Sequence, residues 1–231
     1  MEFGGALYGR TSDPRHHELV QDILLELHEN GFLIQETMEQ FCSIADDGGI
    51  KFLPDRYVQG VCPACSAEGA RGDQCDACGA TYEANELKDP VSKLNPEIPV
   101  EIRETDHLFF RLDLLQGDLE NHAASRKSTW KPNVRAMTQN WLNMGLRPRA
   151  VTRDIEWGVK IPLDDEVWGE KRVYVWFDAV QGYLTCARIW SERIAEESGS
   201  ESNIWRRWWM DSGNLRHIYF CLLYTSDAAD D

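Results

Sequence analysis

Between Asp13 and Gly31, Leu19, Ile23 and Leu27 recur at i, i+4 and i+8, with Val20 and Leu24 beside them. That spacing puts one apolar face on a helix. Asp13-Pro14 supplies an N-cap followed by proline at the first helical position, and Asn30-Gly31 supplies the stop. Phe32-Leu33-Ile34 is a short apolar run, read as a strand leaving that helix. Residues 35 to about 56 mix polar and apolar positions without a period, around a flexible Asp46-Asp47-Gly48-Gly49 turn. Pro90, Pro96 and Pro99 space out a stretch that reads as an extended connector. Leu108-Phe109-Phe110, alternating into Leu112 and Leu114-Leu115, predicts a strand. Val134, Met137, Trp141 and Met144 fall at i, i+3, i+7 and i+10, which predicts a helix closed by Gly145. The continuous run Val173-Tyr174-Val175-Trp176-Phe177 predicts a strand buried on both faces, followed by a helix from Tyr183 to Ser191. A helix–strand unit near the start and a strand–helix unit near the end suggest a parallel α/β core. The long middle does not alternate in that way and reads as an insertion.

Composition narrows the class. The 231 residues suffice for one large domain or a domain with an insertion, and 42% hydrophobic with 27% charged residues is an ordinary globular balance. No apolar stretch approaches the ~18 residues of a membrane span, so no membrane partner is expected. Met1 to Arg10 lacks a basic start and apolar core, so no signal peptide is read. Outside the clustered cysteines, Cys42, Cys186 and Cys221 stand without an obvious pairing, which fits a reducing compartment and makes a cytoplasmic location the expectation. Net charge is −15, with 24 basic against 39 acidic residues. Affinity for a polynucleotide comes largely from basic groups that displace counterions. The basic pairs Arg147/Arg149 and Arg206/Arg207 are short, so these residues are not expected to supply the main grip on a nucleic acid.

The chemistry most legible in the chain is a pair of cysteine hooks, Cys62-Pro63-Ala64-Cys65 and Cys75-Asp76-Ala77-Cys78. Each short turn can aim two thiolates at one metal, and two hooks complete a tetrahedron with sulfur about 2.3 Å from zinc. Gly69 and Gly72 in the spacer allow the chain to reverse, and Gly79 follows the last ligand. A closed four-cysteine set leaves no open coordination position, so this zinc is expected to be structural and the chemistry to lie elsewhere.

Several separated motifs, in order, resemble the methionyl-tRNA synthetases. They begin with Tyr8-Gly9-Arg10-Thr11-Ser12 and Asn30-Gly31-Phe32. The run from Phe52 to Pro63 then leads into the knuckle, which continues through Ala70-Arg71-Gly72-Asp73-Gln74-Cys75. Pro148 to Gly158 is similar to the segment that closes the family's inserted domain, and Tyr174-Val175-Trp176-Phe177-Asp178-Ala179 with Gly182-Tyr183-Leu184 resembles its methionine pocket. The resemblance implies a partial Rossmann-type class I synthetase core interrupted by a connective-peptide insertion that bears a four-cysteine zinc knuckle. The implied boundaries are 1–33 for the end of the first core half, 34–172 for the insertion (knuckle about 57–90), 173–220 for the start of the second half, and 221–231 for an unmatched tail.

It also implies a methionine–tRNA ligase, which activates methionine with ATP and magnesium and transfers it to methionine tRNA. By position, Trp176, Ala179 and Tyr183 line the methionine pocket, Arg153 stabilises charge at the α-phosphate, and Cys62, Cys65, Cys75 and Cys78 hold one zinc. An aromatic face beside a small residue suits a polarisable thioether. Read without the resemblance, Trp176 is a core aromatic and Arg153 a partner for Asp154 or Glu156. Where the family commonly has Pro-Ile or Thr-Ile after the alanine, this chain has Val180-Gln181, so the pocket edge differs. The His-Ile-Gly-His and Lys-Met-Ser-Lys-Ser type motifs that stabilise ATP phosphates have no counterpart here. The run His217-Ile218-Tyr219-Phe220 passes into a tail, Cys221 to Asp231, that matches nothing in the family. The chain is therefore expected to be an internal fragment with an out-of-frame tail, inactive in isolation. The alternative is a free-standing zinc module that binds RNA or protein, against which the acidic charge and the Trp176–Tyr183 segment count.

Overall fold

The computed structural model describes residue 7 and residues 9–44, 49–53, 57–71, 75–80, 82, 84–199 and 201–210. Tyr8, most of the Asp46–Gly49 turn, Gly72 to Gln74 and residues 211–231 lie outside the described residues. Helix α1 spans Pro14–Glu29, with the Asp13 carboxylate accepting the Arg15 N–H at 2.9 Å as N-cap. Gly31 takes φ +74° to turn the chain out, as the Asn-Gly stop predicts. Strand β1 then runs Leu33–Ile44, far past the predicted Ile34.

β1 pairs antiparallel with β6 (Val100–Phe110) in continuous register from Leu33 opposite Phe110 to Ser43 opposite Val100. Between them in sequence come β2 (Ile50–Phe52), β3 (Val58–Val61), β4 (Glu68–Arg71) and β5 (Lys88–Ser92). β2 lies on the outer edge of β1, whereas β4-β3-β5 form a separate three-stranded sheet around the cysteines. Pro90 sits within β5, so part of the predicted connector is strand. Pro90 falls at an irregularity of the β3–β5 register, between the pairs Gln59–Val91 and Val61–Lys88, where a proline is tolerated.

The β1–β6 ribbon joins two cores. At one end Leu33 and Leu108 pack with Val20, Leu24, Val151, Val159, Ile161, Trp168 and Val173. At the other Phe41, flanked by Val100, packs with Leu53, Val58, Cys62, Ala70, Cys75 and Leu87. Leu33 and Phe41 are eight positions apart, roughly 26 Å at about 3.3 Å per residue. Between them Gln35, Glu36, Thr37 and Glu39 are exposed. Residues 35–39 are largely exposed and the buried position that follows, Gln40, is polar, so this stretch shows no apolar alternation and carries no strand signal.

After β6, Leu112–Leu115 turn into a short 3-10 helix instead of continuing as strand. Helix α2 (Gln116–Ser125), whose apolar spacing is weak, was not predicted. Helix α3 spans Pro132–Met144 and ends at Gly145, as predicted. Its predicted apolar face, however, is exposed: Val134 44%, Met137 62%, Trp141 58% and Met144 73%, while Leu142 is the buried residue. The chain returns through β7 (Arg149–Ala150, on β6), β8 (Thr152–Arg153), α4 (Asp165–Trp168) and β9 (Arg172–Val173, on β8). The predicted Val173–Phe177 strand ends after Val173. Val175–Ala179 form α5 with Tyr174 as N-cap, because the Phe177 and Asp178 N–H groups turn back onto the Tyr174 carbonyl at 2.9 and 3.1 Å. Helix α6 (Gly182–Ser198) and α7 (Ile204–Met210) follow.

Every described strand pair is antiparallel. Leu33 and Val173, expected to feed parallel strands, face Phe110 and Thr152 instead. The architecture is mixed α/β, with α1, α5 and α6 gathered at the Leu33 end of the ribbon.

Phe41 is the apolar pin of the far core, and its carbonyl also accepts the Leu53 N–H at 2.8 Å. Phe41→Ala is expected to destabilise that lobe by about 3–5 kcal/mol. Urea unfolding followed by far-UV circular dichroism checks this; a loss below about 1 kcal/mol would contradict the packing.

Candidate functional site

The two cysteine hooks repeat one local geometry. The Cys62 N–H donates to the Ala67 carbonyl at 2.9 Å and the Ser66 N–H to the Cys62 carbonyl at 3.0 Å. Thirteen positions on, the Cys75 N–H donates to Ala80 at 2.9 Å and the Gly79 N–H to Cys75 at 2.8 Å. The residue after each hook is left-handed, Ser66 at φ 60° and Gly79 at φ 73°, which reverses the chain around its cysteines. All four Sγ atoms lie within 4.8 Å of one another. Cys62 Sγ is 3.9 Å from Cys78 Sγ, and Cys65 Sγ is 3.7 Å from Cys75 Sγ.

A tetrahedron of sulfurs about 2.3 Å from a central ion has edges of about 3.8 Å, so the cluster fits one metal. The Cys65 N–H holds the Cys62 thiol down at about 7. The Ala67 N–H likewise pulls on Cys65, but the Cys78 and Cys62 sulfurs outweigh it and push that thiol up to about 12. The four sulfurs together could hold one metal ion.

The second cluster sits at the other end of the ribbon. Arg153, in β8, places its guanidinium 4.0 Å from the centre of the Tyr174 ring and donates to the Thr152 carbonyl at 2.9 Å. It takes neither Asp154 nor Glu156 as the obvious ion-pair partner. Asp154 is held instead by Lys171, by the Thr105 hydroxyl at 2.9 Å and by His107 Nε2 at 3.0 Å. Lys171 Nζ also donates to Thr105 Oγ1 at 2.6 Å.

His107 is fully buried, and its tautomer follows from its neighbours. Nε2 faces two acceptors, Asp154 Oδ2 and Gln40 Oε1 at 3.2 Å, so it carries the proton. The Leu108 N–H donates to Thr152 Oγ1 at 3.0 Å, and that hydroxyl donates to Nδ1 at 2.9 Å. Burial pushes the His107 pKa down, against the pull of Asp154. Burial would likewise push the Asp154 carboxyl up, but the bonds from His107 and Lys171 outweigh it and hold it below the usual carboxylate range. Sequence reading missed this network. His107 and Lys171 stand 47 and 17 residues from Asp154, and no local spacing marks such partners.

Trp176, Ala179 and Tyr183 fall at i, i+3 and i+7 along α5 and the first turn of α6, so they follow one helical side. Trp176 and Ala179 are half-buried and Tyr183 is 39% exposed. A separate cleft of about 300 Å³ lies at the start of α1, lined by Gly9, Arg10, Asp13, Arg15, Ile189 and Arg193 among others, and contains none of these residues. Asp178, between Trp176 and Ala179, is buried, and burial pushes its carboxyl up to about 6. Behind α5 the Thr185 hydroxyl donates to the Gln181 carbonyl at 3.2 Å and meets buried His16 Nδ1 at 2.8 Å, which ties α6 to α1. No helix among the described residues is long and apolar enough to cross a membrane.

A family model described as tRNA synthetases class I (M) matches residues 3–221. The methionine–tRNA ligase of Thermoplasma acidophilum is 44% identical over 215 residues, which is 93% of this chain and 37% of that protein. The methionine–tRNA ligase of Chlorobaculum tepidum is 42% identical over 204 residues, 88% of this chain and 28% of that protein. In fold, the chain is similar to the crystal structure of Mycobacterium tuberculosis methionyl-tRNA synthetase bound by methionyl-adenylate, with a TM-score of 0.54 and 22% identity over 89% of this chain and 33% of that one. The chain belongs to the methionyl family of class I tRNA synthetases, and spans about a third of the length of the relatives it matches.

Asp178 yields a pH test. Its folded pKa of about 6 stands above the ordinary 3.8, so the folded state holds the proton more tightly than the unfolded chain. Stability from this group is present below about pH 4 and is lost as pH rises through 6. Asp178→Asn removes that loss, so its Tm is expected to match wild type near pH 4 and exceed it at pH 7. A Tm difference that stays constant across that range would refute the burial argument.

Proposed function

We propose that this chain supplies the insertion and part of the active site of a methionine–tRNA ligase. In the first step a methionine carboxylate oxygen attacks the α-phosphorus of magnesium-bound ATP; pyrophosphate leaves and methionyl-adenylate forms. In the second, a terminal ribose hydroxyl of methionine tRNA attacks the adenylate carbonyl and AMP leaves. The observation that carries this reading is the placing of Arg153 on Tyr174, which caps the helix bearing Trp176 and Ala179. An arginine fork can stabilise charge developing on the α-phosphoryl oxygens. Trp176, Ala179 and Tyr183 would line the methionine pocket, where an aromatic face beside a small residue suits a thioether, which needs no hydrogen bond. The methionyl-adenylate held by the mycobacterial relative supports the assignment.

The four cysteines would hold zinc, whose thiolate preference and tetrahedral geometry match the donor set. When bound, the ion supplies a closed structural cross-link. The proposed insertion extends from residue 34 to 172, supported by β1 beginning at Leu33 and by β9 closing at Val173 within the same core. Core halves on either side, 1–33 and 173–220, and a cytoplasmic location complete the reading.

The test is methionine-dependent exchange of pyrophosphate into ATP by the full-length gene product that contains these residues. Trp176→Ala is expected to raise the methionine KM about 10-fold or more through lost apolar contact, and Arg153→Ala to lower kcat by about 100-fold. Exchange driven by a different amino acid, or left unchanged by both variants, would overturn the assignment. For the metal, native mass spectrometry of this chain is expected to show one zinc, with Cys78→Ser abolishing it. Full occupancy in Cys78→Ser would contradict the four-thiolate site.

A further inference from the structure

The Asp154 network does more than fill buried space, because it lies one residue from the arginine and joins elements far apart in sequence. In the antiparallel register Met38 faces Thr105 and Glu36 faces His107, so Gln40, Thr105 and His107 share one face of the ribbon. The segment after β8 lies on that face, and Asp154 receives three donors there, from His107, Thr105 and Lys171. Two of them come from β6 and the third immediately precedes β9. A carboxylate with three donors from two elements has little freedom to shift. Its neighbour Arg153 is thereby fixed with its guanidinium over Tyr174.

We propose that Asp154, with His107 and Lys171, is the positioning device for Arg153, and that through it the insertion's ribbon sets the geometry of the adenylate-forming site. This rests on the reading of Arg153 as the α-phosphate group. Asp154 touches no reacting atom; it acts through the backbone of β8. The bond to Gln40 extends the same control to β1, so the arginine is referenced to both strands of the ribbon.

The experiment is a double-mutant cycle on pyrophosphate exchange in the full-length gene product, using Arg153→Ala, Asp154→Asn and the double variant. Asp154→Asn is expected to lower kcat about 10- to 100-fold, the cost of misplacing a catalytic group by about 1 Å, with the methionine KM within about twofold of wild type. The double variant is expected to be no slower than Arg153→Ala, because the network's effect passes through that arginine. Multiplying effects, or an unchanged kcat in Asp154→Asn, would overturn the positioning role while leaving Arg153 in place. An unchanged kcat in Arg153→Ala would instead overturn the reading of Arg153, and the proposal with it. Should Asp154→Asn fail to fold, Thr105→Val removes one donor and is expected to cost about fivefold in kcat, again absent from the Arg153→Ala background. Wild-type kcat in a folded Thr105→Val would count against the network.

Discussion

The structure depends on the pairing of β1 with β6. One unbroken antiparallel register, from Leu33–Phe110 to Ser43–Val100, spans the distance between two cores that share no residue. The ribbon must hold its shape without a continuous apolar face, because its middle carries exposed and buried polar residues. It does so by anchoring at both ends: Leu33 and Leu108 in one core, Phe41 and Val100 in the other. A slip of one residue would turn both sets outward and separate His107 from Asp154. Register is thus the constraint that fixes the four-thiol lobe and the arginine cluster together.

The two ends carry different chemistry. At the far end, paired turns bring four thiols within reach of one another, where a metal ion could cross-link the lobe. At the near end a buried histidine and a lysine hold an aspartate, while a neighbouring arginine lies on an aromatic ring. The order of donors matters there. Nε2 must donate, because it faces Asp154 and Gln40, and the neutral histidine can then accept from Thr152. The cluster carries the charge it needs in a buried setting because Lys171 offsets Asp154.

What the sequence made legible was local. The α1 caps, the Gly145 stop and the cysteine spacing all depend on residues a few positions apart, and all reappear as read. The family, too, is legible in the motifs, since the order of several short motifs is hard to meet by chance. What was missed depends on distant partners. β1 past Ile34 is defined by β6 some 70 residues later, and its polar middle carries no period. Val175–Ala179 looked like strand because β-branched and aromatic residues favour extended chain, yet the turn onto the Tyr174 carbonyl won. The α3 spacing gave a helix correctly but not its environment: Trp141 and Met144 face outward among the described residues. His107 could be recognised as an internal residue only once β6 and β8 were adjacent.

A metal held by the four thiols would order one end of the ribbon, while the other end holds its own geometry. Amide hydrogen exchange along the chain, with metal bound and after chelation, tests this most directly. Chelation is expected to expose the amides of the described residues within 58–92, while those of 105–110 and 151–153 keep their protection through the Leu33 core and the His107 network. Loss of protection along the whole ribbon on chelation, or none in 58–92, would contradict it.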